Sequence, residues 1–437
     1  MKGGRILGEG VDGCVFTEPM WPCSADTYNP SLPNLKDNRY VSKLVANEDR
    51  EIEYRKIAQR LLGKMAKEHL TFIKGECKPA DDAHPPHESQ ADIYESVKKT
   101  TLKWKSPGQK CSVLQDMIKG GKSFSESHKI AFITMYLMSV KAWYMWSKKP
   151  VKQVLGEIVH ALGPFIEALQ LLYQQPHEQL IHIDLHIGNM FVKHSPITFG
   201  LTDFGHCLSR RSSDSQAKQA ATFLGHYLTK YVANFRFFVE YSQVPLEARL
   251  LNYCYIHKLE SVKPDALVRG WMKEVKKVNQ ETTDLIAMEV DEFTTALLRK
   301  PLFLSMVQYI QQISSKLRAN SSNSVEVVQS MTRDEKTVLE FIVTRYACIS
   351  PINTIVEGVM LLPCTPPTAS EVRPIVSAFF KKQKYRNDDM NFYKLIQFLT
   401  KAIMTPYTQE GSSLVSVLGS VQISDLRIVW DEISEKV

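Results

Sequence analysis

An aspartate and an asparagine, Asp184 and Asn189, interrupt the otherwise apolar stretch HIDLHIGNMFV, and Asp203 stands in a second such stretch, LTDFGHCL, fourteen positions after Asn189. Burying three polar groups among Ile, Leu, Met, Phe and Val is costly unless they converge on a cation or a polar substrate. Asp184 and Asn189 are five apart, too far for one helical turn and on opposite faces of a strand. A loop that brings both to one point is the economical solution, and any fold for this chain has to supply it.

Near the start, GEGVDGCVF places Gly8, Gly10 and Gly13 ahead of Val15. Any tight hairpin could use glycines at this spacing. They would also let backbone N–H groups approach a phosphate without Cβ obstruction. Their neighbours predict short strands over Arg5 to Thr17 and Tyr40 to Ala46. The second strand carries Lys43 between Val41, Leu44 and Val45. Alone, such a lysine reads as an exposed strand residue; after a glycine hairpin it stands where it could reach phosphates, given an acid to hold it. The apolar spacing of Ile52, Ile57, Leu61, Leu62 and Met65 predicts a helix from Asn47, with Asn47 as its N-cap. That helix offers Glu51 and Glu53. Glu53 is preferred, because Tyr54 and Ile57 follow it in the pattern that turns a face inward.

With 437 residues the chain exceeds one ordinary core, so two lobes or a domain plus an extension is expected. The strand-rich part ends near residue 117, with Ser112 to Met117 read as a buried strand. The proline-rich, polar stretch 78–92 reads as an inserted surface loop. After Ser123, SESHKIAFITMYLMSVKAWYMW and VKQVLGEIVHALGPFIEALQLLYQQ read as long helices, the second bent or split at Gly163-Pro164. Helical patterns return over 216–318, pass a linker at Ala319 to Ser324, and continue to the C-terminus. No recognisable chemistry appears in 325–437.

The net charge of +7 is spread over scattered residues and short clusters such as Lys148-Lys149 and Arg210-Arg211, which favours solvated surface over a nucleic-acid stripe. The eight cysteines are widely separated, without a CxxC pair, and fit reduced thiols in an intracellular compartment. Lys141, Thr134 and Ser139 break the apolar run Ile130 to Trp146 before it reaches a bilayer span. Nothing in MKGGRILGEG resembles the apolar region of a signal peptide.

The order GxGxxGxV, VxK, a helical Glu, HxDxxxxN and DFG resembles the signature set of the protein kinases. That resemblance covers roughly residues 5 to 210. It implies an α+β, bilobal protein-kinase-like fold: a small β-rich N-lobe over 1–117 with the inserted loop 78–92, a large helical C-lobe over 118–318, and an additional helical C-terminal extension over 325–437. It further implies that Gly8, Gly10 and Gly13, with Val15, cover the phosphates of ATP, that Lys43 binds its α- and β-phosphates, and that Glu53 holds Lys43. Asp184 would orient and deprotonate an acceptor hydroxyl. Asn189 and Asp203 would hold Mg²⁺, or Mn²⁺, against the phosphates. LQDMIKGG resembles the hinge, so the backbone near Asp116 and Met117 would meet the adenine. His182 would pack and fix the loop.

The sequence departs from that pattern in four places, one of them the short interval from Lys43 to Glu53, which implies a trimmed helix after the lysine strand. Position 183 is Ile, where regulated kinases carry an arginine that pairs with an activation-loop phosphate, so that control is expected to be absent. Position 186 is His, where serine/threonine kinases place a lysine, and DLHIGN is in this respect closer to aminoglycoside and choline phosphotransferases and to atypical kinases. No APE motif follows DFG. The whole combination is similar to serine/threonine kinases of large nucleocytoplasmic DNA viruses such as iridoviruses. The resemblance implies an ATP- and Mg²⁺-dependent phosphotransferase, foremost a serine/threonine protein kinase of the cytoplasm or the virion. Its alternatives are a small-molecule phosphotransferase and a pseudokinase scaffold. The implied partners are a protein substrate or a small-molecule alcohol acceptor, and a virion or scaffold partner for 325–437, with no specific nucleic acid and no membrane span.

Overall fold

The structure is a computed structural model that describes residues 5–10, 13–17, 20–37, 39–47, 50–80, 123–134, 149–175, 177–193, 197–211, 216–239, 241–278, 288–360, 390–409, 412–420, 427, 430 and 431. The chain divides into two compact units, Met1–Leu137 with Thr202–Gly205, and Met138–Leu201 with His206–Val437.

An antiparallel five-stranded sheet forms the first unit: β1 (Arg5–Gly10), β2 (Gly13–Thr17), β3 (Tyr40–Ala46), β4 (Ile73–Cys77) and β5 (His128–Thr134), in the order β1-β2-β3-β5-β4. Alternation along the strands gives the sheet two covered faces. On one face Cys14, Phe16, Leu44, Ile130 and Phe132 pack under the segment that carries Met20, Trp21 and Leu32. Ser42 belongs to this face too, its Oγ accepting the Trp21 backbone N–H at 2.8 Å. On the other face Val41, Val45, Ala131 and Ile133 meet Ile52 of helix α1 (Glu51–Leu62), with Val15 packed alongside. Lys43, one place from Ser42 and Leu44, falls on the α1 face.

Three expectations fail in this unit. Residues 128–134, read as part of a long helix, form β5. Their apolar run is buried on both faces, and such a run has no period that separates strand from helix. Asn47 does not cap α1, which starts at Glu51; its N–H donates to the Ser127 carbonyl at 2.9 Å and its Nδ2 to the Glu126 carbonyl at 2.8 Å. Asn47 is thereby tied to the start of β5. The thiols are not all reduced: Cys23 and Cys77 form a disulfide, and Cys14 is disulfide-bonded as well. The Cys23–Cys77 bridge joins the Trp21 segment to β4, and Ala80 N–H donates to Pro22 O at 3.0 Å beside it. Cys207, Cys254 and Cys348 are buried. Residues 81–92 of the expected loop and the expected strand Ser112 to Met117 lie outside the described residues.

The second unit holds helices α2 (Val151–Tyr173), α3 (Gln216–Tyr227), α4 (Leu246–His257), α5 (Pro264–Val278), α6 (Pro301–Ala319), α7 (Arg333–Cys348), α8 (Ser350–Met360) and α9 (Met390–Met404). It also holds two antiparallel strand pairs, β6 (Glu178–His182) with β9 (Cys207–Arg211) and β7 (Met190–Lys193) with β8 (Thr198–Leu201). Helix α2 runs unbroken through Pro164, against the expected bend or split, and forfeits the backbone bond that a proline cannot donate. Residues 152–173 are long and apolar enough to cross a membrane, yet Ile158, Leu162, Phe165 and Leu169 are buried in this unit as core side chains.

The expected linker at 319–324 is a short turn between two helices, with the Asn323 side chain capping the second. The described residues beyond this turn belong to the second unit. Arg345 of α7 donates to Glu247 of α4 at 3.1 Å and to the Ala402 carbonyl of α9 at 2.8 Å, and Tyr407 donates to the same Glu247 oxygen at 2.7 Å. All three side chains are buried. The expected border at 117 also moves, to 137, because β5 is an inner strand of the first unit's sheet.

Candidate functional site

In the first unit the glycines belong to a hairpin. Gly10 pairs with Gly13 across its end, and Gly8 pairs with Val15 after a register shift that follows Ile6. On the next strand over, Val15 stands opposite Lys43. Lys43 is buried, and its Nζ lies 2.6 Å from Glu51 Oε2 and 2.8 Å from Asp203 Oδ1. Burial alone would pull the ammonium down; the two carboxylates more than offset it, so Lys43 is shifted upward and stays charged.

Glu51, not Glu53, is the acid at Lys43. Because α1 begins at Glu51, its inward face runs through Glu51, Tyr54, Arg55, Ala58 and Leu62, all buried. Glu53 is 40% exposed and pairs with Arg50 at 2.9 Å. The apolar pattern after Glu53 is real, but it serves Ile57, one turn on.

Sequence reasoning missed Arg55. Its Nη2 donates to Glu51 Oε1 at 2.6 Å, and its Nη1 to the Thr71 carbonyl at 2.9 Å and to the Thr71 hydroxyl. Thr71 Oγ1 in turn lies 3.1 Å from Thr202 Oγ1, and the guanidinium covers the Phe204 ring with its centroid 5.2 Å away. Arg55 therefore fastens Glu51 to the segment that carries Asp203. The visible signal was its i+4 spacing from Glu51 on the apolar side of the helix. Asp203 itself has φ of 56°, a left-handed conformation that costs a non-glycine residue roughly 1–2 kcal/mol. Strain of this kind persists where surrounding contacts over-determine the backbone, and it clusters at functional positions.

In the second unit, residues 183–189 form the loop between β6 and β7. Ile183 is buried and its N–H donates to the His206 carbonyl at 2.9 Å. The turn closes through Asn189 N–H to His186 O at 2.8 Å. Asn189 is also buried, and its Nδ2 donates to the Asp184 carbonyl at 2.8 Å and to Asp184 Oδ2 at 3.3 Å. The Asp184 side chain remains 40% exposed. His182 is buried at the end of β6. From α8, Thr354 Oγ1 reaches the Leu185 carbonyl at 3.1 Å, so residues beyond 325 touch this loop.

The structure thus brings Lys43, Glu51 and Asp203 together in one unit, and Asp184, His186 and Asn189 together in the other. Asp116 and Met117 lie outside the described residues. Among the described residues no group of three or more His, Cys, Asp or Glu side chains is arranged to hold a metal ion.

Comparison with known proteins adds little to this geometry. No family model matches the chain. Nor does any curated protein match it. Among solved structures, it is similar to the crystal structure of the Mycobacterium tuberculosis PknI kinase domain, C20A_R136A double mutant, at 14% identity over 76% of this chain and 94% of that one, with a TM-score of 0.25. A likeness of that strength carries no argument about fold or activity.

Proposed function

We propose that the protein is an ATP-dependent phosphotransferase with an alcohol acceptor, foremost the serine or threonine hydroxyl of a protein. The observation that carries this reading is Lys43, a buried cation held by two carboxylates on the strand beside a glycine hairpin. A buried lysine could be neutralised by one acid. Two acids, one of them on a strained backbone at Asp203, favour a lysine kept charged and aimed at an anion.

In this reading the hairpin amides at Gly8, Gly10 and Gly13 bind phosphate oxygens, and Lys43 neutralises charge on the α- and β-phosphates. A divalent cation supplies charge neutralisation at the phosphate oxygens. Magnesium commonly uses only one or two carboxylates plus substrate phosphates, so Asp203 in the first unit and Asn189 in the second would each be a suitable donor. Asp184 orients the acceptor hydroxyl and takes its proton as the acceptor oxygen forms its bond to the γ-phosphorus. The bond from phosphorus to the bridging oxygen breaks, ADP leaves, and the proton passes on to water. His186 in place of a lysine favours a small-molecule alcohol as the second acceptor class.

Thermal melting in the presence of ATP and Mg²⁺ tests the binding half of this proposal. At a hundred times the dissociation constant, nucleotide should stabilise the fold by about 2.7 kcal/mol. An unchanged melting temperature at millimolar ATP with either Mg²⁺ or Mn²⁺ would refute it.

A further inference from the structure

His186 has a tautomer that its neighbours dictate. The Gly188 backbone N–H donates to His186 Nδ1 at 3.0 Å. An amide N–H can only donate, so Nδ1 is an unprotonated acceptor and the ring proton sits on Nε2. That nitrogen lies 3.8 Å from Asp184 Oδ2. Position 188 has no room for a side chain, since a Cβ there would fall 2.7 Å from His186 Cε1 and 3.0 Å from Nδ1. Gly188 therefore both binds the ring and leaves it the space to turn Nε2–H toward the carboxylate.

This arrangement decides which oxygen of Asp184 is free. Asn189 Nδ2 donates to Oδ2 at 3.3 Å, the same oxygen that His186 faces. Among the described residues no group bonds Oδ1. We propose that His186 is a positioning residue for Asp184: its Nε2–H and the Asn189 amide secure Oδ2 from two sides and leave Oδ1 for the acceptor hydroxyl. At 3.8 Å the two groups are beyond hydrogen-bond distance in this structure, and catalytic contacts that are long without substrate often shorten in its complex. The inference rests on the phosphotransfer reading, because it assigns Asp184 the acceptor's proton. It gives the imidazole the duty of a fixed donor to the carboxylate.

Substitutions separate the two ring nitrogens. Asn in place of His186 can still accept the Gly188 N–H through its Oδ1, as an Asx turn does, but has nothing that reaches Asp184. Gln extends an amide N–H to about the position of Nε2. Consumption of γ-labelled ATP should be measured with casein and with water as acceptors, alongside the nucleotide dissociation constant. His186→Asn should lower kcat about tenfold or more, the effect of losing a hydrogen bond to a charged group, with nucleotide affinity unchanged. His186→Gln should recover kcat to within about threefold of the parent. In an Asp184→Asn background, His186→Asn should change kcat less than about twofold, since residues that act through one group are not additive. In ¹⁵N spectra of the histidine rings, the signal that His186→Asn removes should have the pattern of the neutral Nε2–H tautomer. The proposal is overturned if His186→Asn keeps the parent kcat, if its loss is equally large in both backgrounds, or if the ring carries its proton on Nδ1. Should Asp184→Asn itself turn over like the parent, or the parent consume no ATP, the phosphotransfer reading has failed and this one falls with it.

Discussion

Glu51 gives Oε2 to Lys43 at 2.6 Å and Oε1 to Arg55 at 2.6 Å, so one buried carboxylate binds two buried cations. Asp203 completes the charge balance from the other side of Lys43. Two acids and two bases cancel, and each member leaves an uncompensated buried charge if it is removed alone. Lys43 is therefore kept charged by a set of contacts that extends beyond its own two partners.

Arg55→Met tests that set. It should destabilise the first unit by about 3–5 kcal/mol, the cost of breaking a buried pair from one side. Urea unfolding monitored by tryptophan fluorescence measures it, since Trp21 is buried in this unit. A loss below about 1 kcal/mol, the range of exposed pairs, would mean that Arg55 is not holding Glu51.

Glu51 and Glu53 should behave oppositely. Glu51→Gln leaves Lys43 and Arg55 short of a carboxylate, and should weaken nucleotide affinity and lower the melting temperature. Glu53→Gln removes an exposed pair with Arg50 and should stay within about 0.5 kcal/mol of the parent with its activity intact. A paired comparison of melting curves and ATP titrations reads both.

The Cys23–Cys77 bridge spans a sequence separation of 54 residues and fastens the Trp21 segment across one face of the sheet. Replacing both cysteines by alanine should cost about 2–4 kcal/mol in the first unit. Melting with and without dithiothreitol gives a second measure, because reduction should lower the parent's transition more than the variant's.

Glu357 sets a pH dependence. Burial raises its carboxyl above the ordinary carboxylate range, and its Oε2 is buried with no hydrogen-bond partner among the described residues. The folded state therefore holds this proton more tightly than the unfolded chain. Its contribution is fully present below the unfolded value, about pH 4.3, and is lost as pH rises through the higher folded value. Glu357→Gln should then raise the melting temperature at pH 7 and leave it unchanged near pH 4. The opposite ordering would show that the carboxylate has a cationic partner.

Much of this architecture was legible because it is local. The strand Tyr40–Ala46 has the bounds that its β-branched residues suggest, and a loop does join Asp184 to Asn189. What escaped depends on contacts distant in sequence. Asn47 looks like a helix cap until the Glu126 and Ser127 carbonyls claim it, and moving the helix start to Glu51 changes which glutamate faces Lys43. The run Ile130 to Ile133 is apolar on both faces, so no period marked it as β5. Disulfide partners more than fifty residues apart cannot be read from spacing. The region after 325 seemed without chemistry because its contribution lies in packing: Arg345 joins three helices, and Thr354 meets the Leu185 carbonyl.

Transfer of labelled γ-phosphate tests the central claim most directly, measured on casein and on a panel of small alcohols with the parent, Lys43→Met and Asp184→Asn. The account predicts Mg²⁺-dependent transfer by the parent. It also predicts loss of nucleotide affinity and turnover in Lys43→Met, and a kcat roughly 10² to 10⁴ lower in Asp184→Asn with nucleotide still bound. Equal transfer by all three proteins, or binding of ATP by the parent with no transfer to any acceptor, would contradict it.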